Sequence, residues 1–162
     1  MVYYIQGDEM KINFFIDKIF KEPEIRICGS ELTEELKSAA EDISAALGGS
    51  IAAYDGAAAE ILRTGAIVTV YSEGKRVIAR TAEKTYDLKM RLYEAEVILE
   101  KHGFVRISNS EMVNMRKIIR LDTSISGTIH IYLNGGIESY VSRRYIKKIK
   151  DTVISFMEQE GQ

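Results

Sequence analysis

The chain has 162 residues, 46% of them apolar and 28% charged, the profile of a folded globular protein rather than a disordered one. Its one cysteine, Cys28, excludes an internal disulfide and offers no metal framework, and no apolar run approaches the roughly 20 residues that span a bilayer. The net charge of −2 is unevenly spread: residues 1–74 carry 6 basic and 13 acidic side chains, residues 75–162 carry 16 basic and 11 acidic, an asymmetry that hints at an interaction surface.

In chain order, residues 1–9 offer no clear place in a core and read as a flexible tail, with Met10-Lys11 as a junction. Residues 11–17 and 24–28 are expected strands, rich in β-branched and aromatic side chains and bounded by Pro23 and Gly29. Cys28 is expected to be a small buried strand residue. Ser30 offers an N-cap to a helix whose first turn holds Glu31, Glu34 and Glu35, where the helix dipole favours acid. Leu32, Leu36, Ala39, Ala40, Ile43 and Leu47 give that helix one apolar face, and Gly48-Gly49 stops it. The alanine-rich face suits a core, with an interface as the alternative.

From Ile51 the pattern changes to short strands at 51–54, 60–62, 67–71 and 76–81, with turns at Asp55-Gly56, Thr64-Gly65 and Glu73-Gly74. Leu88, Leu92, Ala95 and Leu99 then mark an amphipathic helix that His102-Gly103 ends. Strands follow at 104–107, 118–121, 128–133 and 137–141, with hairpin turns at Ser126-Gly127 and Asn134-Gly135. A last helix starts after Ser142 and turns Ile146, Ile149, Val153 and Met157 toward the core. The expected fold class is α+β, mostly β: a small β/α extension over residues 1–50, suited to dimerisation or regulation, followed by a second unit over 51–162. The start of the chain shows no basic-then-apolar signal pattern, so the expected compartment is the cytoplasm.

Enzyme chemistry finds little support. His102 and His130 lie in separate contexts and neither has a partner at metal-ligand spacing. His130 alternates with Ile129 and Ile131 and so points to the opposite face. The nucleophile elbow, the dinucleotide fingerprint and the P-loop are absent, and Glu94 and Glu96 read as surface acids on a helix. No cofactor, catalytic residue or metal site is expected.

Tyr140–Lys150 is more informative. It holds five cations, Arg143, Arg144, Lys147, Lys148 and Lys150, and no acid. Ser142 is a good N-cap, yet Arg143 and Arg144 follow it, where positive charge opposes the helix dipole by about 0.3–1 kcal/mol each. A bound phosphate would turn that liability into attraction, and arginine also pairs bidentately with guanine in the major groove. The plain alternative is a solvated basic face. Ser108-Asn109-Ser110 likewise reads two ways. It can cap a short helix over 111–115, or Asn109 can read a base edge, as asparagine does bidentately with adenine. Lys75 and Arg76 place two cations on a hairpin turn, a weak signal by itself.

Two of these stretches together resemble the LytTR family of bacterial DNA-binding domains. Phe104, Arg106, Ser110, Val113 and Asn114 match its first motif, and Val141, Ser142, Arg143, Arg144, Tyr145 and Lys150 match its second after the Asn134-Gly135 turn. The resemblance covers residues 51–150. It implies an elongated sandwich of small β-sheets with short helices, reading successive major grooves of double-stranded DNA with loops. It implies contacts from Lys75 and Arg76, from Asn109 and Ser110, and from Ser142, Arg144 and Lys147. Tyr140 and Arg143 become phosphate contacts by neighbourhood. The first 50 residues are too short for a receiver domain and resemble the extension of compact stand-alone regulators. The expected partner is DNA with repeated half-sites bound by a homodimer, without membrane insertion. The alternative is a protein-interaction module that antagonises or pairs with another LytTR regulator or a membrane partner.

Overall fold

The computed structural model describes residues 4–6, 11–13, 15–19, 24–124 and 126–160. Two short strands open the chain, β1 (Tyr4–Gln6) and β2 (Lys11–Asn13), paired antiparallel. Next come β3 (Ile25–Cys28) and helix α1 (Glu34–Leu47). Then follow β4 (Ser50–Asp55), β5 (Ala58–Arg63), β6 (Ile67–Glu73), β7 (Arg76–Thr81) and β8 (Thr85–Leu88). Helix α2 (Leu92–Leu99) leads to β9 (Phe104–Arg106) and β10 (Glu111–Asn114). The chain closes with β11 (Ile118–Asp122), β12 (Ile129–Leu133), β13 (Ile137–Val141) and helix α3 (Ile146–Glu160).

Eight strands form one sheet in the order β3-β5-β4-β8-β7-β6-β10-β9, and β11-β12-β13 form a second sheet. All pairings are antiparallel, so each strand can send alternate side chains to opposite faces. In β9, Phe104 joins the core under α2 while Val105 joins the core shared with the three-stranded sheet and α3. Met112 and Val113 of β10 divide in the same way. In β4, Ile51 and Ala53 face the α2 core, and Ala52 and Tyr54 face Ala40 of α1. A register shift in β6 between Ile67 and Thr69 breaks the strict period of two, as a bulge does. Ile67 and Val70 therefore both reach the α2 core while Val68 reaches the other. The result is a sandwich of the large sheet against the small one, with α1 covering its β4–β5 end.

One turn holds the two sheets in register. Gly135 lies between β12 and β13 at φ 75°, and a Cβ there would stand 2.8 Å from the Ala82 Cα in the β7–β8 turn. Both the left-handed backbone and the close approach require glycine. Glu111 also bridges the layers: its carboxylate accepts from Thr69 Oγ1 of β6 and from Ser139 Oγ of β13, each at 2.7 Å.

Several expectations need correction. The cap of α1 is Thr33, whose hydroxyl accepts from the Leu36 amide at 3.2 Å; Ser30 lies three residues too early. Leu88 ends strand β8 instead of starting a helix, because its alternation with Tyr86 faces the same core. The short helix expected over 111–115 is strand β10, since β6 and β9 flank it and pair with it on both sides. Cys28 is exposed, because β3 is the edge strand of the large sheet and has only β5 beside it. The strand expected over 11–17 is strand at Lys11–Asn13; Phe14 lies outside the described residues, and Phe15 and Ile16 are exposed. The Met157 side chain expected in the core also lies outside them.

Candidate nucleic-acid interface

Three elements meet at one end of the large sheet. The first is the β6–β7 hairpin. Its turn, Gly74-Lys75, follows two residues after Ser72, whose amide donates to the Ser110 carbonyl at 2.8 Å. That bond continues the β6–β10 ladder and ties the hairpin to the Ser108–Ser110 turn. Lys75 is exposed at the tip. Arg76 is not free in the same sense: its Nε lies 3.0 Å from Asp87 Oδ2, an oxygen that Lys89 also reaches at 3.0 Å.

The second element is the turn itself, and it is held from beneath. Arg106 donates from Nε to the Ser108 carbonyl at 2.8 Å and from Nη2 to the Asn109 carbonyl at 2.6 Å. Its Nη1 bonds to Glu96 Oε2 of α2 at 2.7 Å, and its side chain is only 12% exposed. The Ser110 amide donates to Ser108 Oγ at 3.2 Å. The three carbonyls of the turn and the Ser108 and Ser110 amides are thus occupied on the protein side, while Asn109 and Ser110 stay exposed. Glu96 is therefore more than a surface acid, as is Glu94, whose carboxylate accepts from the Arg91 amide at the start of α2.

The third element follows β13. Ser142 occupies the cap position but makes no capping bond with its side chain. Its amide and its hydroxyl both donate to the Ile107 carbonyl, at 3.0 and 3.3 Å. The N-cap role expected for the Ser142 hydroxyl is therefore corrected: it accepts from no amide of the following turn and donates instead to a distant carbonyl. Arg143–Tyr145 form a 3-10 turn before α3, and among the described residues no hydrogen bond uses the Arg143 or Arg144 amide. Arg143, Arg144 and Lys147 are exposed, and among the described residues no ion pair involves them. Tyr145 closes the arrangement: its hydroxyl donates to Asn109 Oδ1 at 3.0 Å.

The structure therefore brings together Lys75 and Arg76, Asn109 and Ser110, and Ser142 with the cations that follow it. Tyr140 stands apart. It is exposed on the outer face of the small sheet, its ring stacked on His130 at 4.3 Å between centroids. His130 does point away from Ile129 and Ile131, as the alternation predicts. Sequence reasoning missed the supporting residues, Arg106, Glu96 and Tyr145. Arg106 and Tyr145 stand in the two motifs; Arg106 bonds two carbonyls of the turn just after it and Glu96 of α2, whereas the partner of Tyr145 lies 36 residues away. Asn114, also in the first motif, is buried and donates from Nδ2 to the Ile67 carbonyl at 3.0 Å.

Fold and site together define an antiparallel β-sandwich with a cation-bearing rim made of turns. Among the described residues no two α-helices are joined by a short turn: five strands separate α1 from α2, and five more separate α2 from α3. The model of the LytTr DNA-binding domain family matches residues 59–153, and the chain belongs to this family. An uncharacterized HTH-type transcriptional regulator of Staphylococcus aureus (strain NCTC 8325 / PS 47) is 34% identical over 145 residues, which cover 88% of this chain and 97% of that one. Its counterpart in strain MRSA252 is 33% identical over the same coverage. A solved LytTr DNA-binding domain from Bacillus cereus superposes with a TM-score of 0.61 at 19% identity, covering 65% of this chain and 96% of the other. No helix among the described residues is long and apolar enough to cross a membrane.

Proposed function

We propose that this chain is a transcriptional regulator that binds specific double-stranded DNA, with its three rim elements entering successive major grooves. The observation that carries this reading is the linkage of the elements: Ser72 to Ser110, Ser142 to Ile107, and Tyr145 to Asn109. Three turns far apart in sequence share one rigid edge, and their outward side chains are cations and amides. Arg144 and Asn109 read bases; Lys75, Arg76, Ser142, Arg143, Lys147 and Ser110 anchor the backbone, with Tyr140 at the margin. Phosphate contacts set register and affinity, and base contacts set sequence choice. The unused amides behind Ser142 add to the attraction for a phosphate.

Residues 51–162 form the DNA-binding unit, and residues 1–50 form an extension with a dimerisation or regulatory role. A homodimer on repeated half-sites in the cytoplasm fits that division. A second reading, a module that antagonises or pairs with another LytTR regulator or a membrane partner, is favoured by the exposed Phe15, Ile16 and Ile19 and by the acidic first half. Titrating promoter DNA against salt separates the two. DNA binding gives a steep linear fall of log affinity with log salt, by about 0.9 per neutralised phosphate. Weak affinity at every salt concentration, with no slope, selects the interaction module.

A further inference from the structure

The bond between Tyr145 and Asn109 bears on which base the turn can read. Asn109 is exposed, its backbone carbonyl is fixed by Arg106 Nη2, and its side-chain oxygen accepts from the Tyr145 hydroxyl at 3.0 Å. A carboxamide has one acceptor end and one donor end. With the acceptor end bonded to Tyr145, the Nδ2 group of this exposed residue has no hydrogen-bond partner among the described residues. The adjacent Arg106 guanidinium, within 2.6 Å of the Asn109 carbonyl, also favours the oxygen end on the protein side. Pairing with adenine needs both ends facing the base, the oxygen to accept from N6 and the nitrogen to donate to N7. The geometry here commits the oxygen to Tyr145 and leaves the two Nδ2 donors uncommitted among the described residues. Guanine presents two neighbouring acceptors, N7 and O6, in the major groove, and is the base that a donor-only group matches best.

We infer that Tyr145 is a positioning residue that sets the specificity of the Asn109 turn, holding the amide donor-outward so that it reads guanine in preference to adenine. The inference rests on the DNA-reading function proposed above. Tyr145 is suited to the task because it stands in the same 3-10 turn as Arg143 and Arg144, while its ring packs against the core of the small sheet. It thereby locks the orientation of one reading element to the position of the other.

The test is selection of bound sequences from a random double-stranded pool by the full chain and by Tyr145→Phe, which keeps the packed ring. The wild type should select guanine at one position of the half-site, and Asn109→Ala should abolish preference there alone. Tyr145→Phe should reduce the guanine-over-adenine ratio at that position by about three- to tenfold, the worth of one hydrogen bond, with an unchanged salt slope. In a double-mutant cycle, Tyr145→Phe should have no further effect on that ratio once Asn109 is alanine. A ratio unchanged in Tyr145→Phe, or an adenine preference at the Asn109-dependent position in the wild type, overturns the inference while leaving the DNA-binding function intact. A wild type that selects no sequence at all overturns the proposed function itself.

Discussion

Two sets of cations divide this molecule. Arg26, Arg76, Lys84, Lys89 and Arg106 are each tied to a carboxylate: Lys84 to Glu60 at 3.1 Å and to Asp55 at 3.3 Å, Arg106 to Glu96 at 2.7 Å. Lys75, Arg143, Arg144, Lys147, Lys148 and Lys150 are exposed, and among the described residues no ion pair involves them. The first set fixes elements to one another, although Arg76 in it is also exposed on the rim. The second contributes little to folding and is available to a ligand. The chain's net charge blurs this distinction, since it counts both sets alike. Lys18, Arg63, Arg80 and Lys101 are also exposed and in no ion pair among the described residues, so the grouping of such cations, more than their number, marks where a polyanion would sit.

That contrast can be broken or sharpened by substitution. The largest expected effect belongs to the partnered set. Arg106→Ala leaves Glu96 and two turn carbonyls without their donor and should cost about 2–4 kcal/mol of stability in denaturant unfolding. A loss below about 0.5 kcal/mol would remove Arg106 from the structural set. Arg144→Ala should leave the unfolding midpoint nearly unchanged, as for ordinary surface changes, while costing about 1–3 kcal/mol of DNA affinity and relaxing one position of the site. If promoter affinity and base preference stayed as in the wild type, its base-reading role would be wrong. Lys147→Ala should weaken all sequences equally and flatten the salt slope by about 1, so sequence-dependent loss would contradict a backbone role.

The smallest effect concerns Tyr54 in the acidic first half. Its buried hydroxyl has no hydrogen-bond partner among the described residues, so Tyr54→Phe should change stability at neutral pH by no more than about 1 kcal/mol. Burial first, and then the charges of Glu41 and Glu34, push its pKa from 10.0 up to about 12. The fold therefore favours the protonated phenol. The stability linked to it is complete below pH 10 and falls as pH rises through about 12. The difference in stability between wild type and Tyr54→Phe should shift across that window, and a flat difference curve would show that the phenol does not titrate with folding.

Much of the architecture was legible because antiparallel strands with one buried face write their alternation into the sequence. Ile137–Val141 and Arg76–Thr81 were read with the bounds they have, since a glycine turn precedes each, at Asn134-Gly135 and at Glu73-Gly74. Glu111–Asn114 was not. It is flanked on both sides by other strands, and its Ser-Asn-Ser approach imitates a helix cap. Leu88 misled for the same reason in reverse, since spacing to Leu92 and Ala95 mimics a helical face across a strand–helix boundary. At the candidate site the outward residues were legible and the supports were not. Outward residues announce themselves as cations and amides that no core needs, whereas Glu96, Arg106 and Tyr145 look like ordinary surface residues until the fold supplies their partners.

By itself, then, the sequence determined the strand and helix content, the direction of most faces and the charge of the rim, because these follow from side-chain period and composition within short windows. Only the tertiary structure decided that three distant turns share one edge, that Ser142 bonds Ile107 in place of capping its own helix, and that Asn109 turns its oxygen toward Tyr145. Each of those outcomes rests on contacts between segments far apart in the chain. Those distances belong to no stretch of the chain until the sheets have packed.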